Sequence, residues 1–122
     1  MRIAVTSMEK KLDSAVSVRF GRSSFVFVAD TETRIVRIVD TQPYVSLGLG
    51  SGAKIAEMLA SLGVEWVATG LIGPYSFQIL DNGGVKVVSM ATGTCREILD
   101  RLAAGGLLAA DGPTAGPGVS DR

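Results

Sequence analysis

The chain has 122 residues, 47% of them hydrophobic, which suits one domain with a real buried core and excludes wholesale disorder. Lysine plus arginine equals aspartate plus glutamate at 12 each, so the formal net charge is zero and the basic excess of a general nucleic-acid binder is missing. The absence of histidine and the single cysteine, Cys95, exclude an internal disulfide framework, agree with a reducing compartment, and remove both the usual neutral-pH base and the commonest metal ligand.

Ile3 to Thr6 is a short run rich in β-branched residues and predicts a buried first strand. Its apolar stretch is too short for a signal peptide, and nowhere does the chain approach the ~20 apolar residues of a bilayer span. A cytoplasmic protein with no membrane partner is expected. A polar stretch, Met8 to Ser23, follows without a helical stripe. Phe25–Ala29 and Arg34–Val39 read as strands two and three, and the four residues between them force an antiparallel hairpin.

A loop from Thr41 to Ser51 leads to a helix over about Gly52–Leu62, with Ile55, Met58, Leu59 and Leu62 on one stripe and Gly63 as its stop. Glu65–Thr69 is the fourth strand. Gly73-Pro74 opens a short helix that places Phe77 and Leu80 inward and ends at Asn82-Gly83-Gly84. Val85–Val88 is the fifth strand. Thr94 and Glu97 have capping-box spacing and start the last helix, whose stripe is Cys95, Ile98, Leu99 and Leu102.

The order β-β-β-α-β-α-β-α predicts an α/β fold: one mixed five-stranded sheet with helices packed on it. With the first strand in the centre the layout is ribonuclease H-like. Residues 1–108 form the expected domain, and 109–122, poor in periodicity, an expected flexible tail.

In open α/β sheets the ligand crevice lies beyond the carboxyl ends of the parallel strands. Ser7, the 69–74 segment and the 89–94 segment converge there. Two of them run into helix starts, where free amides and the helix dipole favour an anion, and Gly70, Gly73 and Gly93 would let a ligand approach the backbone. With Thr94 they make a candidate cradle; the alternative is that they are turn and cap residues only. Arg19 and Arg22, flanking Phe20 and Gly21, would clamp a carboxylate, phosphate or anionic cluster, unless this is a solvated loop whose Phe20 plugs the core. The run Gly48 to Gly52 has neither dinucleotide nor P-loop spacing, and a flexible lid or plain helix start is the better reading. Cys95 sits near a helix start, where a thiolate would be favoured, but also on the apolar stripe, which favours a buried thiol. A nuclease is rejected because the first strand, Ile3-Ala4-Val5-Thr6, carries no acid for two-metal chemistry.

Taken together, Arg2 to Ser7, Val16 to Arg22, Gly48 to Ala53, Thr69 to Pro74 and Gly93 to Glu97, five motifs in order, resemble the dinitrogenase iron–molybdenum cofactor biosynthesis family, whose members include NifX-type carriers and the C-terminal part of NifB-type proteins. The likeness spans Met1 to Leu108. It implies a ribonuclease H-like sheet and the binding of an iron–sulfur or iron–molybdenum cofactor precursor in transit. The expectation is a non-enzymatic carrier of a metallocluster or small anion, its cradle made of Ser7, Arg19, Phe20, Arg22, Gly70, Gly73, Gly93 and Thr94, with Cys95 as a candidate metal ligand. The second reading is an interaction module that binds a protein partner or its own copy through the hairpin edge and the Pro43–Gly50 loop. An enzymatic reading comes last, because a substrate or cofactor would have to supply the missing acid–base groups.

Overall fold

A computed structural model describes residues 1–48 and 50–114. Five strands, β1 (Arg2–Ser7), β2 (Phe25–Asp30), β3 (Val36–Asp40), β4 (Val64–Ala68) and β5 (Lys86–Val88), form one mixed sheet in the order β3-β2-β1-β4-β5. β1 pairs antiparallel with β2 and parallel with β4, so it lies centrally between the hairpin and the parallel pair. From Ile3 to Ser7 it is buried without alternation, as a strand covered on both faces must be.

Among the described residues four α-helices surround the sheet: α1 (Gln42–Val45), α2 (Ser51–Ser61), α3 (Pro74–Asn82) and α4 (Cys95–Ala104). On one face Ala4, Val26, Val28, Val67 and Val87 pack against Ile55 and Leu59 of α2 and Leu80 of α3. On the other, Ile3, Val5, Phe27, Ala68 and Val88 meet the α4 stripe of Cys95, Ile98, Leu99 and Leu102. The five predicted strands and three predicted helices are all present, with ends displaced by a residue or two.

The differences have local causes. β3 begins at Val36, because Arg34 takes a left-handed turn conformation (φ 62°) and its amide closes the hairpin on the Asp30 carbonyl at 2.8 Å. The expected loop after β3 contains α1, started by Pro43 in its first turn and by the Asp40 carboxylate, which accepts from the Gln42 amide at 2.9 Å. Inside the polar 8–23 stretch, Phe20–Arg22 forms one turn of 3₁₀ helix.

Contacts also reach past Leu108. The Ala110 amide donates to the Val87 carbonyl on the outer edge of β5, and Thr114 is tied to Ile72 through its own amide and its hydroxyl. The remainder of the expected tail, residues 115–122, lies outside the described residues. No helix among the described residues is long and apolar enough to cross a membrane.

Phe20, expected as a ligand contact, is instead 1% exposed and packed in the core under α2. Replacing it with alanine leaves a cavity, so Phe20→Ala should lower unfolding free energy by about 3–5 kcal/mol. A urea titration followed by tryptophan fluorescence checks this.

Candidate functional site

β4 and β5 run parallel and end side by side at Ala68 and Val88, and the chain beyond each must find new partners for its backbone. They find one another and the 15–19 segment. Thr69 donates to the Val88 carbonyl, Met90 to the Gly70 carbonyl and Ala91 to the Thr69 carbonyl, each at 2.9 Å. The 15–19 segment is laid across them: Gly70 donates to the Ser17 carbonyl at 3.1 Å, Leu71 to the Val18 carbonyl at 2.6 Å, and Val16 to the Gly93 carbonyl at 3.0 Å.

Beneath this layer runs a line of buried hydroxyls. Thr6 donates to the Thr69 oxygen at 2.7 Å, Ser17 donates to the Thr6 oxygen at 2.7 Å, and the Ser17 and Ser23 oxygens lie 2.6 Å apart. All four side chains are buried, and each has a partner, so the polar atoms carry no desolvation penalty left unpaid by a bond.

Above the layer opens a crevice of about 390 Å³, lined by the 15–18 segment, Gly70, Leu71 and residues 90–93. Its rim is apolar: Val18 is 72% exposed and Met90 62%, Met90 being held in a left-handed conformation (φ 58°). Val18 and Met90 thus place two large apolar side chains in solvent at the mouth of the crevice.

The sequence-expected residues divide around this crevice. Gly70 and Gly93 line it. Gly70 is required by close packing, since a Cβ there would lie 2.2 Å from the Val18 carbonyl oxygen. Its amide is bonded to Ser17, and the space expected for a ligand's close approach to its backbone is taken by the Val18 carbonyl. The start of α4 is closed in the same way. The Glu97 carboxylate accepts from the Thr94 amide at 3.3 Å, the Thr94 oxygen accepts from the Glu97 amide at 3.1 Å, and Cys95 and Arg96 donate to the carbonyls of Ser14 and Leu12. The Thr94 cap is complete, and an anion finds no donor there.

Gly73 caps α3 and is buried, outside the crevice lining. Ser7 is buried, its hydroxyl shared with the Ser14 hydroxyl at 2.8 Å and with Glu9. Neither arginine lines the crevice. Arg19 contributes backbone through a bridge to Leu71, and exposed Arg22 borders a separate cavity of about 190 Å³ beside Ser51.

Cys95 is 0% exposed, its Sγ 3.8 Å from the carbonyl oxygens of Thr6 and Ala15. Burial raises its pKa, opposed by the Ser7 and Ser14 hydroxyls. It is packed as a core thiol, sealed from the crevice above it. Among the described residues no group of three histidine, cysteine, aspartate or glutamate side chains could hold a metal ion. Sequence reasoning missed Val18, Leu71 and Met90; the signal that would have found them is large apolar residues in loops at two adjacent strand ends.

The same small α/β fold recurs in the proteins this chain resembles. The family model described as dinitrogenase iron–molybdenum cofactor matches residues 1–105, and the chain belongs to that family. The apo form of the orange protein from Desulfovibrio gigas superposes with a TM-score of 0.87 at 36% identity, covering 93% of this chain and 96% of that one. A Thermotoga protein named for NifB gives 0.72 at 33% identity, covering 88% and 91%. A Methanocaldococcus jannaschii protein named for dinitrogenase gives 0.65 at 9% identity, covering 93% and 97%, a likeness of fold alone. No curated protein matches the sequence.

Two outcomes are expected. Gly70→Ala should cost about 1–3 kcal/mol by forcing the Val18 carbonyl away, measured by thermal or urea unfolding. For Cys95, the folded state holds the thiol proton more tightly than the unfolded chain. Its contribution to stability is therefore full below the ordinary thiol pKa and is lost as pH rises through that value toward the raised one. Urea midpoints measured at increasing alkaline pH should fall more steeply for the wild type than for Cys95→Ala, and the native thiol should react slowly with an alkylating reagent that labels it at once in urea.

Proposed function

We propose that this protein is a non-enzymatic carrier that holds a preformed iron–sulfur-type metallocluster or cofactor precursor in the crevice beyond β4 and β5, by shape and by contact rather than by ligation. The crevice itself carries the reading: a cavity of about 390 Å³ with apolar walls, at the edge of an α/β sheet where ligands settle. Membership in a family named for the iron–molybdenum cofactor supports a cluster as cargo.

The donor set does not suit a cluster ligated by the protein, because the one thiol is buried and protonated and no histidine exists. It suits a cargo that brings its own sulfide ligands. Such a surface is soft and weakly hydrated, and Val18, Leu71 and the Met90 thioether can cover it without stranding a polar group. Arg19 and Arg22, close in sequence to Val18, supply positive charge on the same loop.

In this reading residues 1–108 are the working domain and the sheet is a ribonuclease H-like one put to binding, in a cytoplasmic setting, with delivery to a recipient protein and no role for nucleic acid or membrane. A second reading, an interaction module, rests on β3, an edge strand whose Val36 and Ile38 are exposed along with neighbouring Ile35.

The test is anaerobic mixing with a synthetic iron–sulfur cluster and, separately, with an inorganic molybdenum sulfide anion, followed by gel filtration, metal analysis and visible absorption. Colour should travel with the wild type and with Cys95→Ala, and apparent affinity should fall about tenfold or more in a Val18→Asp/Met90→Asp variant. A colourless wild type, or loss of binding in Cys95→Ala alone, would overturn the reading.

A further inference from the structure

The other end of the sheet holds a second cavity, of about 330 Å³, on the face that α2 covers. It exists because α2 ends at Ser61, short of the hairpin turn, and leaves that corner of the sheet without a helix. Strand alternation decides which side chains enter. Ala4, Val26 and Val28 face α2, so Arg2 and Asp30, each two residues along its strand, face the same way. Arg37 lies opposite Val28 and Val39 opposite Val26, which brings both to this face as well. Arg2 and Arg37 thus stand on the outer strands of three, two strand spacings across and two residues along, about 12 Å apart, with arms long enough to converge on one small ligand.

The charges in this corner are not equivalent. Arg2 is partly committed, donating to the Leu62 carbonyl at the carboxyl end of α2, where a cation complements the helix dipole. Asp30 is held as a carboxylate: its Oδ1 accepts from the amides of Glu32 at 2.8 Å and Thr33 at 3.3 Å, which lower its pKa, with smaller help from the amino terminus and Arg2. Arg37 has no hydrogen bond or ion pair among the described residues and is the uncompensated cation of the cavity. Around it the surface is aliphatic: Val28 and Val39 on the floor, Leu62 on one wall and Ile35, more than half exposed, at the rim.

We infer that this corner is a second binding site, for a small organic monocarboxylate with a compact apolar body. The carboxylate takes the planar fork of Arg37, assisted by Arg2, and the apolar body covers Val28, Val39 and Leu62. One negative charge is accepted and two are not, because Asp30 and the carbonyl end of α2 face the same space and repel a dianion. The site is independent of the crevice, which lies at the opposite end of β1.

Heteronuclear NMR on the full chain tests it, with benzoate, benzyl alcohol and inorganic phosphate as probes at equal concentration. Benzoate should move the backbone signals of Val28, Arg37 and Leu62 and the Arg37 Nε signal while leaving Val18 and Met90 in place. Benzyl alcohol and phosphate should do neither. Arg37→Gln should weaken benzoate about tenfold, the loss of one charge-assisted fork. Should that variant fold poorly, Ile35→Asp at the exposed rim gives the same loss by repulsion, and the Arg37 Nε signal of the wild type remains a direct readout. Benzoate moving none of these signals, benzoate moving Val18 and Met90 instead, phosphate matching benzoate, or Arg37→Gln binding as well as the wild type would each overturn the proposal.

Discussion

The 15–19 segment lies so close to the end of β4 that only a glycine fits between them, and the upper half of the molecule depends on that contact. At Gly70 two segments meet with no room for a methyl group, are bonded through Ser17 and Val18, and rest on the hydroxyls of Thr6, Thr69, Ser17 and Ser23. A β-ladder satisfies its backbone by pairing strand with strand, and where β1 and β4 end that supply stops. Here the neighbouring strand end and a returning loop replace it, with four short side chains filling the buried layer below. Hydroxyls are suited to the task because each both donates and accepts, so a line of them can be satisfied internally. One wall of the crevice is fixed as a result, although the segment that forms it has almost no regular structure.

The same economy closes the α4 start, the one of the two glycine-lined helix starts that borders the crevice. A helix start attracts anions only while its amides are unmet. In α4 they are met by Glu97, by Thr94 itself and by the carbonyls of Ser14 and Leu12. The helix end is spent on tying the 12–16 segment to the sheet. What remains for a ligand is the space between the tied segments, walled by side chains with no strong donor. In the proposed reading, recognition at this edge therefore falls to shape and apolar contact, with the loop arginines outside the crevice.

Much of the fold was legible because periodicity is read directly from residue type. The uninterrupted apolar run of β1 announced a strand buried on both faces, and the Ile55–Leu59 and Cys95–Leu102 stripes placed their helices correctly. α1 escaped notice because four residues hold too little pattern, and its start depends on the Asp40 carboxylate. At the candidate site, the Thr94–Glu97 spacing correctly gave the cap. The cap's consequence, that a satisfied terminus cannot also serve a ligand, needs the partners of every amide and so needs coordinates. Gly70 is the clearest case. A sequence shows a glycine, and only the approach of the Val18 carbonyl tells whether its missing side chain makes room for a ligand or for the protein itself. Phe20 followed the same logic: its neighbouring arginines suggested a surface role, while its ring fills the core.

Burial of the only thiol bears on how a carrier works. Thiolate–metal bonds are strong, and a cargo captured by them leaves slowly or only by ligand exchange. Cys95 sits directly beneath the crevice wall, against the Thr6 and Ala15 carbonyls, yet it is sealed from solvent and its proton is retained by burial. A cluster placed there as proposed would touch backbone, aliphatic groups and at most a thioether. Binding of that kind is set by area and fit, terms that a recipient offering real thiolate or histidine ligands outcompetes. Under the carrier proposal, the burial that withholds this thiol from a ligand suits preassembled cargo: surface to shield a cluster in transit, and no bond that must be broken to hand it on.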